Sequence, residues 1–195
     1  MVKRVWLALA MATVLMFAGL ANGAVLVDST PDHGVLIGLG DWYAARPASD
    51  KPGITGETIF NSPRAIIMLR TAAKGTVVNS HYHAVTDEIV YVVGGSGEIL
   101  INGEWTAVKA GDLHVCPRGV VHNTRVTGDE DLRFISVFTP PQPKGGDAKW
   151  IKSAADAVPA GLVDATPGKA VLVNVDEWYA THPAAEKPGI VGETV

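Results

Sequence analysis

The sequence predicts an all-β protein, a sandwich or barrel built from short strands. Three observations predict it. Apolar, β-branched runs recur between residues 61 and 139. Turn residues separate them at short, regular intervals, as at Gly94-Gly95, Asn102-Gly103 and Pro117-Arg118-Gly119. Gly 21 and Pro 12 favour many turns over long helices, and only Ala148 to Ala157 carries a weak helical pattern.

The N-terminus reads as a targeting segment. Lys3 and Arg4 precede an uncharged apolar run from Val5 to Leu20, and Ala21, Asn22, Gly23 and Ala24 are small or polar. This is the anatomy of a secretory signal peptide over residues 1–24, on a run short for a membrane span of about 20 residues. Cleavage would place the protein in the periplasm or outside the cell, with no stable membrane insertion; an uncleaved anchor is the less favoured alternative.

Residues 25–60 are rich in Gly, Pro and Asp and carry Trp42-Tyr43. This segment is expected to pack on the barrel, with the aromatic pair as anchor. The barrel itself is assigned to residues 61–139. Ala65 to Arg70 and Glu88 to Val93 are β-rich runs. Glu98 to Ile101 and Glu104 to Val108 flank Asn102-Gly103, the strongest short-range hairpin signal, because both residues tolerate positive φ. Asp112 to Cys116 and Leu132 to Thr139 complete the strands. Residues 140–163 open with Pro140, Pro141, Gln142, Pro143, Lys144, Gly145 and Gly146 and read as a linker.

The remainder, 164–195, repeats 28–58. Asp28–Thr58 and Asp164–Thr194 align without a gap, matching Trp42-Tyr43 to Trp178-Tyr179 and Lys51-Pro52-Gly53-Ile54 to Lys187-Pro188-Gly189-Ile190. Two explanations fit: the front of a truncated two-barrel protein, which is favoured, or two segments docking at related places on one barrel or a dimer.

Hydrophobic residues make up 47% and charged residues 18% of the 195, an ordinary globular balance. The net charge of −4 supplies no basic field for nucleic acid. Cys116 is the lone cysteine, so no intramolecular disulfide forms, and it reads as a small buried hydrophobe.

Four of the six histidines fall between residues 81 and 122. His81 and His83 are two apart, so on a strand their rings project to one face. Glu88 opens the next strand and can face back across the pair, and His122 follows later. Three imidazoles and a carboxylate suit a divalent first-row metal. His-x-His alone carries little weight, and His122 alone could be a core residue. The joint spacing carries the signal. Gly75, His81, His83, Glu88 and Gly95 are separated by five, one, four and six residues. Gly111, Pro117, Gly119 and His122 are separated by five, one and two.

These spacings resemble both motifs of the cupin superfamily, as in compact bacterial cupins. The resemblance implies a double-stranded β-helix, or jelly-roll, barrel with N- and C-terminal extensions. It implies one divalent ion per barrel, iron, manganese, nickel, copper or zinc, held by His81, His83, Glu88 and His122. The family's second motif usually has Asn four residues after the His, where this chain has Val126. That departure leaves the four ligands intact and puts in doubt a substrate contact by the Asn. The 15 residues between Gly95 and Gly111 leave no room for a lid, which is expected from residues 25–60 or a partner.

No catalytic residue is assigned. Tyr91 has the wrong strand parity and is expected to pack outward. Arg70 is read as a solvated surface residue, with anion anchoring as the alternative. His114 can face the barrel but is not read as a ligand. No nucleophilic triad or phosphate loop is present in the sequence. The expected function is a metal-dependent enzyme, oxygenase-like, acting on a small oxygen-rich organic molecule, with a lyase, decarboxylase or isomerase as the less favoured reaction class. A noncatalytic ligand-binding module is the alternative, and a structural or storage cupin ranks third. A homodimer is the expected assembly, because EIVYVV is apolar on both faces.

Overall fold

The computed structural model describes residues 36–152 and 171–182. The expected signal peptide, the start of the first repeat copy and most of the second lie outside the described residues. In chain order the elements are α1 (Leu39–Ala44), β1 (Ile54–Asn61), β2 (Ile66–Ala72), β3 (His81–His83), β4 (Asp87–Gly94), β5 (Ser96–Ile101), β6 (Glu104–Lys109), β7 (Asp112–Cys116), β8 (Asn123–Arg125), β9 (Leu132–Thr139), β10 (Ala148–Trp150), β11 (Val171–Asn174) and α2 (Val175–Thr181). The all-β expectation therefore holds.

One sheet has six strands in the order β1-β2-β9-β4-β7-β11, and the second has three in the order β6-β5-β8. β3 pairs with β10 and reaches the small sheet through a bridge between His81 and His122. Alternation along the strands fills the space between the sheets. Val90 and Val92 of β4, Leu132 and Phe134 of β9, Ile99 and Ile101 of β5 and Val108 of β6 form one buried cluster. Cys116 joins them, and burial holds its thiol protonated.

The turns follow their residues. Asn102 and Gly103 sit at φ 53° and 85°, the paired positive values of a tight hairpin turn between β5 and β6. Gly95 sits at φ 78°, and a Cβ there would collide with the Asp131 carbonyl. Only glycine closes that corner.

The outer face of the large sheet is covered by α1. Trp42 and Tyr43 are buried against Ile59 and Leu69, with Ile67, Val93 and Ile135 alongside. The Tyr43 hydroxyl donates to the Phe134 carbonyl at 2.8 Å. The aromatic pair is the anchor expected of it, and it covers part of the apolar outer face of β4. Trp42→Ala should destabilise the fold by about 3–5 kcal/mol, the usual cost of truncating a buried Trp. Urea unfolding measures this, and a loss below about 1 kcal/mol would show that the sheet does not need the helix.

The two repeat copies form the same helix in different settings. Trp178 and Tyr179 of α2 keep an edge-to-face contact at 5.1 Å, against 4.9 Å for Trp42 and Tyr43. Tyr179 is 62% exposed, and the strand before it, β11, adds to the β7 edge of the large sheet. An added strand satisfies backbone groups that an open edge would leave bare. No helix among the described residues is long and apolar enough to cross a membrane.

The helical pattern at Ala148 to Ala157 is corrected in its described part. Ala148, Lys149 and Trp150 form β10, paired with His83, Tyr82 and His81. The exposed backbone of β3 offers partners that outweigh a weak local preference.

Candidate metal centre

β3 carries His81 and His83, β4 begins beside Glu88, and His122 precedes β8. The strand register explains their meeting. His81 is bridged to His122 by backbone bonds of 3.0 and 2.8 Å, and Glu88 is the first inward residue of β4. All four side chains are buried, and their ligand atoms lie within 4.8 Å of one another. No other such group occurs among the described residues.

Hydrogen bonds set each ring. His81 Nδ1 donates to the Asn79 carbonyl at 3.0 Å, and His122 Nδ1 to the Val120 carbonyl at 2.9 Å. His83 Nδ1 donates to Asp147 Oδ1 at 2.8 Å. Those oxygens only accept, so each Nδ1 carries the hydrogen and each Nε2 presents a lone pair to the shared space. His83 Nε2 is buried with no hydrogen-bond partner among the described residues. Glu88 Oε2 stands 3.2 Å from His122 Nε2 and 3.5 Å from His83 Nε2. Lone pairs facing one another at this distance need a cation between them, a proton or a metal ion. Three imidazole nitrogens and one carboxylate therefore fit a divalent first-row ion, and their chemistry does not select which one.

The electrostatics agree. Burial lowers His81 to about 4, helped by the neighbouring His122. Burial alone would raise Glu88, but the neighbouring His122 and His83 imidazoles outweigh it and hold the carboxyl well below the usual carboxylate range. For His83, burial opposes protonation, yet Glu88 and Asp147 outweigh it and raise the pKa. A proton on Nε2 then persists above the ordinary imidazole value of about 6.5 and must leave before an ion can bind. Apparent metal affinity should climb with pH through that value and level off only above the raised one. A chelator-competition titration from about pH 5.5 to 8.5 checks this, and a flat profile would mean that no such proton competes.

The sequence did not single out Asp147. It lies in the stretch read as a linker, whose described part, residues 140–152, packs against the barrel. Its Oδ1 holds His83, while its Oδ2 accepts from the backbone amides of Val85 at 2.9 Å and Thr86 at 3.0 Å. Burial raises Asp147, but these donors, Val85 first, outweigh it and keep the carboxyl below its ordinary value. One carboxylate thus fixes both a ring of the cluster and the turn between β3 and β4. A lone Asp after Gly145-Gly146 carries no local signal of such a role.

The four residues open onto a cavity of about 220 Å³ that runs into the barrel. Gln142, Gly146, Ala148 and Trp150, from the segment after the barrel, line it together with Ile54 from residues 25–60. The Trp150 ring lies 4.7 Å from that of His81. Arg70 is a further correction. It is no free surface residue: it lines the cavity, with Nη1 3.9 Å from Glu88 Oε1 and its guanidinium over the Phe138 ring. Its neighbours Leu69 and Thr71 take the other face of β2, so parity turns Arg70 inward.

His114 also lines the cavity and stands outside the four-residue group. Tyr91 lies on the outward parity of β4, as expected. Val126 is buried in the apolar cluster, while Thr124 lines the cavity and Asn123 turns to Ser80 Oγ at 3.3 Å.

Fold and site together define a small β-barrel with a histidine–carboxylate cluster at the mouth of an internal cavity. A profile of the cupin domain matches residues 68–138. The pectin degradation protein KdgF of Dickeya dadantii is 35% identical over 88 residues, 45% of this chain and 79% of KdgF. The oxalate-binding protein of Thermotoga maritima is 31% identical over 85 residues, 44% of this chain and 69% of that protein. The structure of KdgF from Halomonas sp. is 28% identical, covers 48% of this chain and 85% of that one, and gives a TM-score of 0.44. The chain belongs to the cupin family.

Proposed function

We propose that this cupin binds one divalent transition metal through His81, His83, Glu88 and His122 and uses it to take up a small, oxygen-rich organic acid. The observation that carries the reading is Arg70 on the wall of the same cavity as the four-residue cluster, with its Nη1 3.9 Å from Glu88. A guanidinium beside open coordination positions suits a carboxylate, which can chelate an ion and pair with Arg70 at once. A bound ion would supply Lewis acidity and, if redox-active, electrons for dioxygen chemistry. The protein's own groups do the rest. Asp147 orients His83, Arg70 draws in the anion, and Trp150 with Gln142 shields the mouth from water.

On this reading the protein is a metal-dependent enzyme, oxygenase-like in its reaction. A second reading, a noncatalytic binding module, is supported by the likeness to the Thermotoga maritima oxalate-binding protein. One experiment separates them. Metal-loaded protein is given a panel of small hydroxy, keto and dicarboxylic acids, with oxygen consumption and binding heat followed together. Oxygen uptake with an acid that binds supports the enzyme. Binding without turnover, for every redox-active ion tried, supports the module and sinks the oxygenase.

We also propose a periplasmic or secreted location, on the charge, apolar run and small residues of positions 3–24. N-terminal sequencing of the exported protein tests it, and an intact Met1 in the cytoplasm would overturn it.

A further inference from the structure

His114 is the one cavity-lining histidine that the metal site does not use. It sits on β7, 5% exposed, on the inward face shared with Asp112 and Cys116. Its Nδ1 has no hydrogen-bond partner among the described residues. The cavity wall around it is apolar: Val90, Val92, Ile99, Val108 and Leu132. A leucine there would serve such a wall better, since an unpartnered buried nitrogen is a standing cost.

Register gives its depth. Glu88 pairs with Cys116, and Val90 pairs with His114, on the same two strands. His114 therefore stands two residues further along the barrel than Glu88, about 7 Å at strand rise. We infer that His114 is a second polar anchor, deep in the cavity, for an acid whose carboxylate lies at the metal cluster. The inference rests on the function proposed above and narrows the ligand. The acid should carry a further hydroxyl, carbonyl or carboxylate oxygen some three or four bonds from the group at the metal. Burial lowers His114 to about 4, so its ring is neutral and offers one donor and one acceptor. That suits a hydroxyl or carbonyl oxygen.

The test uses the full chain loaded with zinc and two probes, oxalate and tartrate. Oxalate is too short to reach His114 from the cluster, whereas tartrate has four carbons, two hydroxyls and a distal carboxylate. In His114→Leu, metal content should stay at one ion per chain, and the melting temperature should hold or rise. Oxalate affinity should change less than about twofold, while tartrate affinity falls about tenfold, the worth of one net hydrogen bond. His114→Gln should recover part of that loss. Equal effects on both acids, no effect on either, or oxalate binding without tartrate binding would overturn the anchor and leave the proposed function standing. If neither acid binds the unmutated metal-loaded protein, the proposed function fails and the anchor with it.

Discussion

His83→Ala is expected to strip the barrel of its metal while leaving it folded. His83 offers an Nε2 with no partner other than the shared ligand space, so its loss removes a whole coordination bond. The fall in affinity should exceed the 10–100-fold typical of losing an outer hydrogen-bond partner. The fold should survive, because the apolar cluster between the sheets lies elsewhere and Asp147 keeps the Val85 and Thr86 amides. Elemental analysis with circular dichroism decides it. One ion per chain retained by a folded variant would show that the ligand assignment is wrong.

Asp147→Asn should act through the ligand rather than on the ion. The carboxylate accepts from His83 on one oxygen and from two backbone amides on the other. An amide in its place must turn its NH₂ toward one of these donors, so a donor faces a donor. Metal affinity should drop about 10–100-fold, as for other partners of ligating histidines. Leaving a buried donor unsatisfied should also cost about 1–3 kcal/mol of stability. Chelator competition and thermal melting, each run with and without metal, separate the two effects. Lost stability with unchanged metal affinity would make Asp147 a loop staple and nothing more.

Much of this was legible in the sequence where the signal is local. Asn102-Gly103 fixes a hairpin because few residues accept two positive φ values in a row. Side chains along Glu88 to Val93 point to alternate faces, so Tyr91 could be placed opposite to Glu88 from parity alone. The four clustered residues were legible because two short spacings, each anchored by glycines, restrict how the strands can turn. What escaped depends on contacts between distant segments. Arg70 follows the uniformly apolar run AIIML, which does not reveal which face is the cavity. Asp147 meets His83 across 64 residues, so no window of sequence contains both partners. Ala148 to Trp150 looks weakly helical until β3 is there to pair with it.

The grip of Asp147 has a mechanical consequence. β10 runs along β3, Ile151 donates to the Ser80 carbonyl at 2.8 Å, and Asp147 closes the same seam on His83. The covering segment cannot peel away without releasing a ligand ring. An ion seated on that ring therefore acts as a latch: its binding energy adds to the work of opening the seam. Amide exchange and protease cleavage within residues 142–151 should slow as the site fills. The reverse also holds. An acid that binds with the cover lifted would loosen the ion, so its binding and tight metal retention oppose each other, each by the same amount of free energy.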